Sequence, residues 1–207
     1  MKCLAFVTQK GGAGKSTLAA SLAVAAVEAA ERPFLIDLDP QGSLLNWSQR
    51  RRADEPAVDR IGADQLAPAL QGLAGNGYTL AIIDTQGIDS PAVAAAMRVS
   101  DLALIPSRPS ALDIEASRPT LAALNRLQRP YAFILNQCPP SRSTRLADGA
   151  SALNLLGVLA NPFMVQRTDH QDALALGLGV TELEGSSKAA DEVRELWRWV
   201  KRRLEIH

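Results

Sequence analysis

Thr8-Gln9-Lys10-Gly11-Gly12-Ala13-Gly14-Lys15-Ser16-Thr17 decides the fold and most of the chemistry of this chain. It follows a short apolar run, Leu4–Val7, and opens an Ala-rich helical pattern, Lys15–Ala30. Glycines at this spacing let successive backbone N–H groups converge on phosphate oxygens. A helix starting at Lys15 aims the positive end of its dipole at the same anion. Lys15 is placed to reach β- and γ-phosphates, and the Ser16 hydroxyl to ligate Mg²⁺. Gly11, Gly12, Ala13, Gly14, Lys15, Ser16 and Thr17 are therefore the expected cradle for Mg-ATP. A ligand-free glycine turn is the alternative, and the strand before and the helix after argue against it.

Outward from this loop, short apolar runs alternate with helical patterns. The runs are Leu4–Val7, Phe34–Ile36, Leu80–Ile83, Leu102–Ile105 and Phe133–Leu135, with weaker ones at Ala57–Ile61 and Gly157–Leu159. They are continuously apolar, as strands buried on both faces of a parallel sheet are. Helical patterns cover Lys15–Ala30, Ser43–Arg52, Asp64–Ala74, Pro91–Val99, Ala111–Leu127, Thr144–Leu155, Asp169–Gly177 and Ser187–Leu204. The expected fold is α/β: a doubly wound, mostly parallel sheet with helices on both faces, in one domain over residues 1–207. In such a sheet ligands bind at the carboxyl ends of the strands.

Three further motifs end at that edge. Asp37-Leu38-Asp39-Pro40-Gln41-Gly42-Ser43 puts two carboxylates at i and i+2, on one side of a strand end. A carboxylate there can orient an attacking water or hold a metal-bound one, and a helix N-cap at Asp39 is the structural alternative. Leu80-Ala81-Ile82-Ile83-Asp84 ends an apolar strand in an acid, which places Asp84 to bind Mg²⁺ through water. Phe133-Ile134-Leu135-Asn136 ends in an amide able to pair with adenine, or to shape the turn before Pro139-Pro140.

The spelling of the first motif, with Lys10 ahead of the glycines, resembles the deviant Walker A motif of the ParA/MinD family of ATPases. The order of the other motifs is similar too, and the resemblance covers nearly the whole chain. In that family the first lysine reaches across a dimer interface to the partner's nucleotide. The resemblance implies that Lys10 makes ATP a dimerisation switch, that Asp39 positions the hydrolytic water, and that Asp37 supports the metal shell. Lys10, Lys15 and Asp39 are then the catalytic set, and Ser16, Asp37 and Asp84 the metal set. Gln86 departs from the small residue or Pro usual in the family; VirC-type members carry Arg there. The chain begins at the strand before the loop, without the N-terminal helix-turn-helix domain of larger partition ATPases. It therefore resembles the small ParF-like type, as do Ser43, Trp47 and Arg50-Arg51-Arg52. The family implies a cytoplasmic, nucleoid-associated homodimer that binds DNA non-specifically when ATP-bound. A ParB-like adaptor stimulates its hydrolysis and so positions or segregates DNA or plasmid cargo. MinD-like membrane association and VirC-like assistance to DNA transfer are the alternatives.

Formal net charge is zero, so a nucleic-acid role needs a local patch. The last helix offers one. Arg194, Arg198, Lys201, Arg202 and Arg203 stand against Glu195, while Val193, Leu196, Trp197, Val200 and Leu204 form an apolar stripe. A solvated face, a non-specific DNA patch and a membrane-surface helix all fit that pattern. Glu192 and Glu195 and the lack of a flexible linker count against the membrane. In Arg50-Arg51-Arg52 the charge is expected to be neutralised by Asp54 and Glu55. Leu18–Val27 is too short to span a bilayer. The two cysteines, Cys3 and Cys138, are read as buried, which disfavours a cluster-bearing electron donor. A small-substrate kinase would leave Lys10 unexplained and would need a lid.

Overall fold

The computed structural model describes residues 1–141 and 143–206. Six strands form one sheet: β1 (Lys2–Phe6), β2 (Pro33–Asp37), β3 (Ala57–Arg60), β4 (Leu80–Asp84), β5 (Leu102–Ser107) and β6 (Tyr131–Leu135). Their spatial order is β3-β2-β4-β1-β5-β6, and every pairing is parallel. The chain winds from β1 out to β3, returns to β4 beside β1, then continues to β5 and β6. The loop after β1 thus sits at the middle of the carboxyl edge. Register puts Phe6 opposite Asp84 and Asp84 opposite Asp37, so the three strand ends that carry the motifs are adjacent.

Alternation along the strands builds two cores. Leu4, Phe6, Leu80 and Ile82 face one side, and Cys3, Ala5, Ala81 and Ile83 the other. The first side is covered by α1 (Lys15–Glu28), α2 (Ser43–Ser48), α8 (Asp169–Ala175), α9 (Val180–Leu183) and α10 (Lys188–Arg203). The second is covered by α3 (Leu66–Gly75), α4 (Pro91–Val99), α5 (Ala111–Ala116), α6 (Arg118–Arg126) and α7 (Thr144–Leu156). Helix α1 is buried from Leu18 to Ala26 because its Ala-rich face lets it lie between the sheet and α10.

Two expected elements differ. The single helix over Ala111–Leu127 is two, α5 and α6, broken at Ser117. Pro119 has no N–H to give the preceding turn, so it opens a new helix instead of continuing the old one. The weak strand at Gly157–Leu159 is only a bridge, Leu159 to Phe133. From there to Gln166 the chain follows β6 irregularly. Cys138 donates to the Met164 carbonyl, and Gln166 to that of Cys138, which shields the sheet edge. The four-residue α9 had no sequence signal of its own.

Candidate functional site

Gly12 and Gly14 adopt left-handed φ of 73° and 89°, which turns the loop after β1 into a concave run of amides. Gly14 is also the N-cap of α1. No side chain caps that helix and its first turn holds no acid, so its leading N–H groups are left for an anion. Lys15 is buried at the helix start. Burial pulls its pKa below the ordinary lysine value, while Asp84 and Asp39 oppose the shift. The field of both carboxylates therefore reaches the ammonium.

Asp84, at the end of β4, is fully buried. Its Oδ2 accepts from the Ser16 hydroxyl, and its Oδ1 has no partner at all. Burial pushes its pKa up to about 7, against the opposing pull of the Ser16 hydrogen bond and of Lys15. A buried orphan oxygen beside a hydroxyl and an ammonium is the arrangement a hydrated cation relieves. Thr85 donates to the Phe6 carbonyl at 2.8 Å, fastening the end of β4 to β1. Gly87 then presses on the loop: a Cβ there would lie 2.9 Å from the Gly11 nitrogen and 3.0 Å from the Lys10 carbonyl carbon. Gln86 lies between these two anchors, half-buried.

The two acids after β2 do different things. Asp37 is fully buried and its carboxylate accepts backbone N–H groups of Asp39 (3.0 Å), Leu44 (2.9 Å) and Leu45 (3.2 Å). Burial raises its pKa and these three bonds oppose the rise. Its oxygens fasten the start of α2. Asp39 is half-buried. Its Oδ1 accepts from the Gln41 N–H at 2.9 Å, and its other oxygen stays available.

Lys10 does not stand free. Its Nζ lies 3.1 Å from Asp113 Oδ2, and Asp113 also pairs with Arg108 Nε at 3.0 Å. Sequence reasoning passed over Asp113; Ser110 three residues before it is a capping-box spacing that marked the helix start but not this ion pair. Asn136 donates to the Ala13 carbonyl at 2.8 Å, and Gln137 to the Gly12 carbonyl at 2.9 Å. The Asn136 side chain, read from the sequence as able to pair with adenine or to shape the following turn, gives one amide bond to the loop.

The cations elsewhere are sorted by their neighbours. Arg51 is buried: it pairs with both oxygens of Glu182 at 2.9 Å and lies over the Trp47 ring at 4.7 Å. Glu182, not Asp54 or Glu55, neutralises it. On α10 the apolar stripe Val193, Leu196, Trp197, Val200 and Leu204 is buried, as its spacing predicts. Arg194 pairs with Glu28 at 2.9 Å and Lys201 with Glu31 at 3.2 Å. Arg198, Arg202 and Arg203 remain exposed, with Arg203 over Trp199 at 5.3 Å. Both cysteines are buried thiols with pKa values pushed up to about 12, chiefly by burial. Among the described residues no helix is long and apolar enough to cross a membrane.

Residues 4–180 match the CobQ/CobB/MinD/ParA nucleotide binding domain. The chain belongs to this family. It is 31% identical to the maintenance of carboxysome distribution protein A of Gloeobacter kilaueensis, over 95% of this chain and 96% of that one. It is 26% identical to the protein ParA of Rhizobium radiobacter, over 94% and 93%. In fold it is similar to a Cyanothece McdA variant solved with ATP, with a TM-score of 0.75, 18% identity, and coverage of 100% and 97%. Membership in the MinD/ParA family accounts for the loop, the strand order and the placement of acids at adjacent strand ends.

Proposed function

We propose that this chain is a Mg-dependent ATP hydrolase whose ATP-bound homodimer positions cargo, releasing it when the γ-phosphate is cut. The observation that carries this is the buried, partnerless Oδ1 of Asp84, set beside Ser16 and Lys15 in front of an uncapped helix N-terminus. Ser16 and Asp84 are the residues that would hold Mg²⁺, which would supply charge neutralisation for the phosphates. The chain's own groups do the rest. Loop amides and Lys15 hold the phosphates, Gly87 fixes the neighbouring strand loop against them, and the open oxygen of Asp39 orients the attacking water.

Lys10 links this site to assembly. In the single subunit it is held by Asp113; in the dimer it would leave that acid for the partner's triphosphate. Relatives named for carboxysome distribution and for partition support a positioning role. Exposed Arg198, Arg202 and Arg203 support non-specific DNA as the track, in a cytoplasmic, nucleoid-associated setting, with a ParB-like adaptor as the partner that triggers hydrolysis. A MinD-like membrane anchor is disfavoured by the packing of α10. Its five stripe residues are buried, and each such side chain contributes roughly 1.5–3 kcal/mol that lipid would have to replace. The test is the molar mass of the purified chain with Mg-ATP. A hydrolysis-blocked Asp39→Ala protein should be a dimer with ATP and a monomer without; a monomer under both conditions defeats the switch.

A further inference from the structure

Arg50-Arg51-Arg52 follows α2, and α2 follows the loop that bears Asp39. That loop runs directly into the helix. Gly42 donates to the Asp39 carbonyl at 2.9 Å, and Asn46 to the Gly42 carbonyl at 2.9 Å. The setting of α2 therefore sets where Asp39 sits. A helix of six residues does not hold itself in water, and among the described residues no side chain caps this one. Asp37 ties its first turn to β2. Its other end is tied to the turn between α8 and α9.

Trp47 donates its indole N–H to the Leu178 carbonyl at 3.0 Å. Arg51 donates to the Gly177 carbonyl at 2.9 Å, to the Glu55 carbonyl at 2.6 Å and to both Glu182 oxygens at 2.9 Å. The turn is shaped to receive them. Gly177 has a φ of 72°, and a Cβ there would lie 2.5 Å from the Arg50 carbonyl carbon, so glycine is what admits the end of α2. Glu182 also accepts the Gly179 N–H at 2.7 Å, which orients its carboxylate from the other side. Burial would raise the Glu182 pKa, but Arg51 and the Gly179 N–H hold it below the ordinary value. Taking an arginine to 3% exposure is costly, and apolar side chains often pack as firmly. What a forked guanidinium adds is direction: bonds at fixed angles set the rotation of α2 as well as its place.

We propose that Arg51 and Glu182 are positioning residues for ATP hydrolysis, a brace that holds α2 and through it the water-orienting carboxylate of Asp39. This rests on the hydrolase reading above and on the place of Asp39 in it. The experiment measures turnover and Mg-ATP affinity of Glu182→Gln and Arg51→Lys, each alone and combined with Asp39→Ala. Glu182→Gln keeps the shape and removes the charge. It should lower kcat roughly tenfold, since a small misplacement of a catalytic group suffices for that, and leave ATP affinity within about twofold. Arg51→Lys keeps the charge without the fork and should lower kcat likewise, so if one variant fails to fold the other decides. In the Asp39→Ala background neither should lower kcat further, because the group they aim is gone. A pair that only stabilises the fold would subtract the same factor in both backgrounds. Unchanged kcat in the single variants, or that equal further loss, overturns the brace. Wild type that hydrolyses no ATP sinks the hydrolase reading, and normal hydrolysis in Asp39→Ala sinks the role of Asp39, so the three failures are told apart.

Discussion

The carboxyl edge of the sheet and the outer face of α10 both display cations in the sequence, yet the fold treats them oppositely. At the edge, Lys15 is buried facing Asp84, whose second oxygen is left without a partner, and the helix behind it is uncapped. On α10, Arg194 and Lys201 are already matched by Glu28 and Glu31 from the end of α1 and the turn after it. An unmet buried charge marks a ligand site because leaving it unmet is costly. A paired surface charge marks little, since such pairs contribute about 0–1 kcal/mol.

The sharpest way to break that contrast is Lys15→Ala. Removing the buried ammonium should weaken nucleotide binding by about 100-fold or more, read by calorimetry. Next is Asp39→Ala, expected to lower turnover on the order of 100-fold while ATP still binds and dimers accumulate. Normal hydrolysis in that variant would remove Asp39 from the water-positioning role. Replacing Arg198, Arg202 and Arg203 together by Ala should lower DNA affinity by roughly tenfold and reduce the salt slope by up to about three. Retention that is unchanged and salt-insensitive would take DNA off this face. Asp37→Ala strips a partner from the amides of Leu44 and Leu45, so it should cost about 2 kcal/mol and lower Tm by roughly 5 °C. A loss of metal binding without loss of stability would put Asp37 in the metal shell instead. The smallest effect is on α10 again: Glu28→Gln with Glu31→Gln frees two cations, and DNA affinity should rise about two- to fivefold.

Much of the fold was legible because the apolar runs are short, continuous and spaced by helices; Pro91–Val99 appears with the bounds its pattern gives. The misses have two causes. Pro119 is a local breaker inside a helical pattern that periodicity alone ignores, whereas the irregular edge after Leu159 and the short α9 are settled by long-range neighbours, which periodicity does not carry. At the site, glycine spacing fixed the loop, but not the partners of its side chains. Asp113 lies about a hundred residues from Lys10, and Glu182 further still from Arg51.

The order of residues alone determined the phosphate loop, the strand-terminal acids and the buried stripe of α10. Each is a local pattern whose geometry follows from backbone period and glycine freedom. Only the folded chain decided which carboxylate is spent on amides and which is left open, and which cations are already paired. Those outcomes depend on distances between segments far apart in the chain, set by how β1, β2, β4 and α10 come to lie together.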